Sequence, residues 1–77
     1  MIEDDYRKVI SDNIKHFREK HNLSQEAFAD LVGFHRTYIG SIERCERNLT
    51  LGTLNSIAEY MKISVPQLLT AQRNSIE

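Results

Sequence analysis

The sequence predicts an all-α fold, a compact bundle of five helices. Apolar residues recur at three- and four-residue spacing in each segment long enough to form an element. No segment sustains the apolar–polar alternation of a strand, and hairpin turn signals are almost absent. Hydroxyl residues also stand one place ahead of three of the apolar stretches, where helix caps belong.

Tyr6, Val9, Ile10, Ile14 and Phe17 fall on one helical face, so residues 5 to about 20 form a first amphipathic helix that Asn22 ends. Ser24 caps a second helix from Gln25 to about Val32. Its Phe28, Leu31 and Val32 turn inward, and Glu26 sits in the first turn, where the helix dipole favours an acid. Gly33 stops it. A third helix runs from about His35 to Arg44 with Ile39 and Ile42 buried, followed by an irregular connection from Cys45 to Leu49. Thr50 caps a fourth helix, in which Leu51, Leu54, Ile57, Ala58 and Met61 make an apolar stripe to about residue 61. Ser64 caps a fifth, with Pro66 in the first turn that tolerates proline and Val65, Leu68 and Leu69 as its apolar face. Residues 74–77 lack a pattern and are expected to fray.

Seventy-seven residues, 40% hydrophobic and without a linker, repeat or low-complexity run, read as one domain over 1–77. A core of this size is marginal and calls for a supplement. The single cysteine, Cys45, excludes an internal disulfide, and no Cys/His pair has zinc-ligand spacing, so neither a metal nor a cofactor is expected. Dimerisation is the supplement that remains. Met1, Ile2, Glu3, Asp4 and Asp5 are acidic where a signal peptide is basic, and no apolar run approaches the roughly 18 to 20 residues of a membrane span. A cytoplasmic protein with no membrane association is the expectation. The formal charge of −1 argues mildly against a nucleic-acid partner. Its distribution argues the other way: the acids Glu3, Asp4 and Asp5 cluster at one end, while His35, Arg36, Arg44 and Arg47 share a short segment diluted only by Glu43 and Glu46.

The most informative spacing lies within residues 24–44. Ala29 lets two helices cross closely, Gly33 four residues later suits a turn with positive φ, and Ile39 and Ile42 plug the crossing from the second helix of the pair. This is a helix-turn-helix pattern. At about 100° per residue, Tyr38, Ile39 and Ile42 group on one side, and Arg36, Thr37, Gly40, Ser41 and Arg44 on the other. That second face is short, polar and basic. It fits a major groove, where arginine bonds guanine O6 and N7 and threonine meets a polar edge or a thymine methyl. Gly40 costs a helix roughly 1 kcal/mol against alanine, and its missing side chain would either permit close approach to DNA or mark an ordinary solvated position.

These residues resemble the helix-turn-helix domains of phage repressor and Cro type over roughly residues 10 to 70, through Gln25, Ala29, Gly33, Ile39 and Ile42 followed by Glu43 and Arg44. Within that family, Arg36-Thr37-Tyr38-Ile39, Ile42-Glu43-Arg44 and Arg47-Asn48-Leu49-Thr50-Leu51 look most like controller proteins of restriction-modification systems. The resemblance implies that Arg36, Thr37 and Ser41 face bases. It implies that Gln25 contacts a phosphate and that Tyr38, Arg47 and Asn48 touch the backbone or groove edge. Arg44 joins them as a phosphate contact and Glu43 as structural support. His35 stands where Ser or Asp commonly caps the recognition helix and is read as reaching a phosphate. Cys45 replaces the Gly or Asn that often follows Glu-Arg, a poorer residue for a left-handed turn. Glu26 and Asp30 match an acidic patch that touches RNA polymerase in phage repressors, though a solvated helix face with an acid satisfying the helix dipole is the preferred account.

The implied function is a transcription regulator that activates or represses its own operon, binding a pseudo-palindromic operator as a homodimer. Ile63, Leu68 and Leu69, in a dimerisation helix of about 64–73, are the expected interface, because helix four already closes much of the core. A prophage repressor, or an antitoxin-like protein-interaction module on the same scaffold, is the alternative. No base, nucleophile and enclosed pocket come together, so no enzyme is expected. Cys45, beside Arg44 and Arg47, has the basic surroundings that sensitise thiols to oxidants, but a lone cysteine commonly does nothing. His16 and His21 read as exposed helix residues.

Overall fold

The computed structural model describes residues 6–71. Five helices follow one another: α1 (Tyr6–Lys20), α2 (Gln25–Val32), α3 (Arg36–Glu43), α4 (Leu51–Met61) and α5 (Val65–Leu68). The described residues contain no strand. The acidic cluster Glu3, Asp4 and Asp5 and the tail 74–77 lie outside the described residues, as do Gln72 and Arg73 of the expected dimerisation segment.

Helices α2 to α5 each start where a side chain replaces a missing backbone partner. Ser24 Oγ accepts from Ala27 N–H, Thr50 Oγ1 from Thr53 N–H, and Ser64 exchanges reciprocal bonds with Gln67 in a capping box. His35, which the family pattern marks as a departure, also caps its helix: Nδ1 accepts from Thr37 N–H at 3.1 Å. Several helix ends are closed by left-handed residues. Gly33 (φ 86°) ends α2, Asn22 (φ 56°) follows α1, and Lys62 (φ 62°) ends α4. Cys45 takes φ 65° despite its side chain, so the turn expected to resist a left-handed residue adopts one.

Helix α3 packs against α1 and α2, α4 against α2 and α5, and α1 against α5. Their meeting place is one cluster in which Ile10, Ile14, Phe28, Ile39, Ile57 and Leu68 are fully buried, with Ala29, Ile42, Leu54, Ala58 and Met61 around them. Each such Ile, Leu or Phe contributes about 1.5–3 kcal/mol relative to leaving it exposed. Phe17, Phe28 and Tyr60 stack edge to face in its wall, with centroids about 6 Å apart.

Three apolar residues assigned inward stand exposed. Leu31 lies one helical step beyond the buried arc of α2 and borders an open hollow of about 300 Å³ with Val32, Ser56, Glu59 and Tyr60. Leu51, at the first turn of α4, precedes the point where that helix meets the core. Tyr6, at the start of α1, keeps its ring partly in solvent and donates its hydroxyl to Asn48 Oδ1 at 3.3 Å.

Candidate nucleic-acid interface

The turn between α2 and α3 fixes the rotation of α3. Gly33 and Phe34 N–H both donate to the Ala29 carbonyl, which folds the chain back over a residue that is itself buried. Ile39 and Ile42 then lock inward, at 0% and 2% exposure. Arg36 and Thr37 are left exposed at the N-terminal end of α3, and Arg36 makes no hydrogen bond or ion pair among the described residues.

Behind this face sits a buried carboxylate. Glu43 accepts two bonds from Arg18, Nε to Oε2 at 2.8 Å and Nη2 to Oε1 at 2.9 Å, and a third from Gln25 Nε2 at 3.0 Å. Arg18 also donates to the Leu23 carbonyl, and Ser11 to the Glu43 carbonyl at 2.7 Å. The hydrogen bonds from Arg18 to Glu43 raise the guanidinium pKa above its already high ordinary value. One network thus ties α1, the loop before α2, α2 and α3. The predicted support role of Glu43 has this form. Arg18 is the partner that sequence reasoning missed, although an arginine four residues after Ile14 interrupts an apolar stripe and was the available signal.

Gly40 lies on the outward face but is buried, because the Gln25 carboxamide and the Arg44 guanidinium cover it. A Cβ there would come within 3.2 Å of Arg44 Nη1 and 3.5 Å of Gln25 Oε1. The missing side chain makes room for two protein side chains, which corrects both expectations for this position. Arg44 itself is exposed and pairs with Glu46 at 3.0 Å rather than with its neighbour Glu43. Its hydrogen bond to Glu46 pulls that carboxyl below the ordinary glutamate range.

Ser41 departs from its expected position. It is 5% exposed, donates to the Tyr38 carbonyl at 2.7 Å and accepts from Arg47 Nε at 3.0 Å. The loop after α3 folds back over it: besides the Arg47 bond, Glu46 N–H donates to the Ser41 carbonyl at 2.9 Å. Tyr38 is half-buried between the Phe34 ring at 5.4 Å and the Arg47 guanidinium at 5.1 Å, with its hydroxyl 3.5 Å from Thr53 Oγ1. Among the remaining predicted contacts, His35, Arg47 and Asn48 are exposed and Gln25 is half-buried. Glu26 and Asp30 are exposed on α2.

The expected interface also changes. Leu68 is fully buried, because the four-residue α5 turns it into the core, and buried Asn13 holds the chain there by donating to the Leu68 and Thr70 carbonyls at 2.8 and 3.1 Å. Ile63 is half-buried against the core and Leu69 is 38% exposed.

Comparison with known proteins agrees with this geometry. The helix-turn-helix family matches residues 14–68. Control protein C.SmaI of Serratia marcescens is 50% identical over 68 residues, covering 88% of this chain and 81% of that protein. The restriction-modification controller protein C.Esp1396I, solved as a tetramer in complex with its natural 35 base-pair operator, is 33% identical with a TM-score of 0.72, covering 87% of this chain and 92% of that one. The chain belongs to the helix-turn-helix family, among its restriction-modification controller proteins. The hypothetical transcription factor NHTF from Neisseria superposes on this controller-family chain with a TM-score of 0.80 at 32% identity, over 86% of this chain and 74% of that one. None of the helices among the described residues is long and apolar enough to cross a membrane.

Proposed function

We propose that this controller protein is a single-domain transcription regulator that binds a pseudo-palindromic operator as a homodimer and activates or represses its own operon. The observation that carries the reading is the inward lock of Ile39 and Ile42, which leaves Arg36 and Thr37 exposed at the leading end of α3 with the Arg36 guanidinium uncommitted among the described residues. A helix so presented enters a major groove, with Arg36 on a guanine edge and Thr37 beside it. His35, Gln25, Arg44, Arg47 and Asn48 surround it as backbone or groove-edge contacts. The relative C.Esp1396I, crystallised on its own operator, supports the same use of the fold here. Two recognition helices set about 34 Å apart would meet successive major grooves. Exposed Leu69 and the partly covered Ile63 offer apolar surface for the partner protomer. Acting on operator DNA, such a protein works in the cytoplasm, where Glu26 and Asp30 would be open to RNA polymerase.

The test is binding to duplexes tiled across the region upstream of the protein's own gene, by fluorescence anisotropy, with sedimentation to give the oligomeric state. One tile should bind well above random sequence, and log affinity should fall against log salt with a slope of roughly −0.9 per phosphate neutralised. Arg36→Ala should cost about 1–3 kcal/mol on that tile and relax one base preference. Equal losses on the tile and on random duplex would refute the reading role of Arg36, and a monomer at micromolar concentration would refute the dimer.

A further inference from the structure

Three arginines near α3 are held in different ways. Arg18 is paired with the buried Glu43 and Arg44 with the exposed Glu46. The direct contacts of Arg47 are to neutral groups, with the Glu46 carboxylate acting on it only through space: its Nε donates to Ser41 Oγ at 3.0 Å, and its guanidinium carbon lies 5.1 Å from the centre of the Tyr38 ring. The Ser41 proton is already committed to the Tyr38 carbonyl at 2.7 Å, which leaves the hydroxyl lone pairs to accept from Arg47. The ring beneath is itself fixed, by the Phe34 ring on α3's leading side and by Thr53 of α4 at its hydroxyl.

A hydroxyl and an aromatic face direct a guanidinium without neutralising it. Only the Nε–H of Arg47 is hydrogen-bonded, so the four N–H groups of its terminal nitrogens stay available and its charge is not taken up in an ion pair. Holding the stem in place beforehand also removes the ordering cost that a free arginine meets on binding.

The geometry points to Ser41 as a positioning residue that pre-orders Arg47 over Tyr38 for a DNA phosphate and does not itself read a base. This rests on the operator-binding reading, and it assigns Ser41 the opposite role from a helical-wheel argument.

Ser41→Ala, Arg47→Ala and the double variant, titrated with a 20-base-pair duplex of arbitrary sequence at low salt, test it. Ser41→Ala should weaken binding by about two- to twelvefold in the native background, the factor set by ordering one long side chain. It should have less than about a twofold effect in the Arg47→Ala background, because coupled residues are not additive. A readout without DNA accompanies this. The Arg47 Nε–H resonance should be resolved and slow to exchange in the native protein, and averaged and fast in Ser41→Ala. Circular dichroism and a retained thermal midpoint confirm that Ser41→Ala folds. A loss that persists in full in the Arg47→Ala background, or an Arg47 resonance unchanged by Ser41→Ala, overturns the proposal. So does native binding that Ser41→Ala matches. If the native protein binds no duplex, the operator reading fails and the phosphate role fails with it, an outcome distinct from intact native binding that is indifferent to Ser41.

Discussion

Arg18→Met should cost about 3–5 kcal/mol of folding stability, the range expected when one partner of a buried ion pair is removed. The structure supplies the reasons for using that range rather than the 0–1 kcal/mol of an exposed pair. The side chain of Glu43 is 4% exposed and that of Arg18 20%, and the two are joined through both carboxylate oxygens at 2.8 and 2.9 Å. Methionine keeps the apolar stem but leaves the Glu43 carboxylate out of water with a single donor, Gln25 Nε2. A domain of this size holds roughly 5–10 kcal/mol in total, so the thermal midpoint should fall by on the order of 20 °C. Replacing both charges, as Arg18→Met with Glu43→Leu, should recover most of the loss, less about 1 kcal/mol for the stranded Gln25 amide. Urea unfolding followed by circular dichroism gives all four corners of the cycle. A single-variant cost below about 1 kcal/mol, or a double variant as unstable as the sum of the singles, would refute the reasoning.

Gly40→Ala should raise stability by up to about 1 kcal/mol, since alanine favours the helix and the Arg44 tip 3.2 Å away is a flexible end that can yield. It should nonetheless weaken DNA binding by displacing Gln25 and Arg44 from the outward face. Melting curves and anisotropy must move in opposite directions, and a variant that melts lower shows that Arg44 cannot give way. Cys45→Gly should stabilise by roughly 0.5–1 kcal/mol, relieving a side chain held at φ 65°. An unchanged or lowered urea midpoint contradicts that account. The Glu46 carboxyl should titrate below the ordinary glutamate range by carbon-detected NMR and return to it in Arg44→Ala, because its pKa is depressed first by the Arg44 hydrogen bond. The contribution of this exposed pair is therefore present above the ordinary glutamate pKa and lost as pH falls through the depressed one. An unshifted titration in the native protein removes the pair from solution.

Helix existence and caps were legible because they are local. Ser24, Thr50 and Ser64 each act within three residues of themselves, and the periodic apolar residues need only the helix repeat to be recognised. What the sequence hid depends on a second element. Ser41 points outward on a wheel drawn for α3 alone and is buried once the loop after the helix brings Arg47 over it. Leu68 reads as spare apolar surface until Asn13, on the other end of the chain, is seen clamping its carbonyl. Leu31 and Leu51 fail for the converse reason, since periodicity marks a face but not where along the helix its neighbour ends. Pair partners were least legible of all. Glu43 stands beside Arg44 in sequence yet is bound by Arg18, 25 residues away.

The formal charge of −1 is a poor guide to the binding face because charge is sorted by pairing as well as by position. Glu43 and Glu46, the two acids within the basic segment, are each held through two bonds by an arginine. Glu43 is turned into the interior, where it organises Gln25. Glu46 is drawn to Arg44, which leaves Arg36 and Arg47 without a hydrogen-bonded acid among the described residues, although Glu46 still acts on Arg47 through space. At physiological salt a field is felt over about 8 Å, so acids elsewhere on the chain subtract little from those two guanidiniums at a DNA surface. Salt dependence of binding should therefore follow the unpaired arginines and be nearly indifferent to charge changes on the exposed acids of α2. A wild-type slope in Glu26→Gln with Asp30→Asn, beside a reduced slope in Arg47→Ala, is the pattern this arrangement requires.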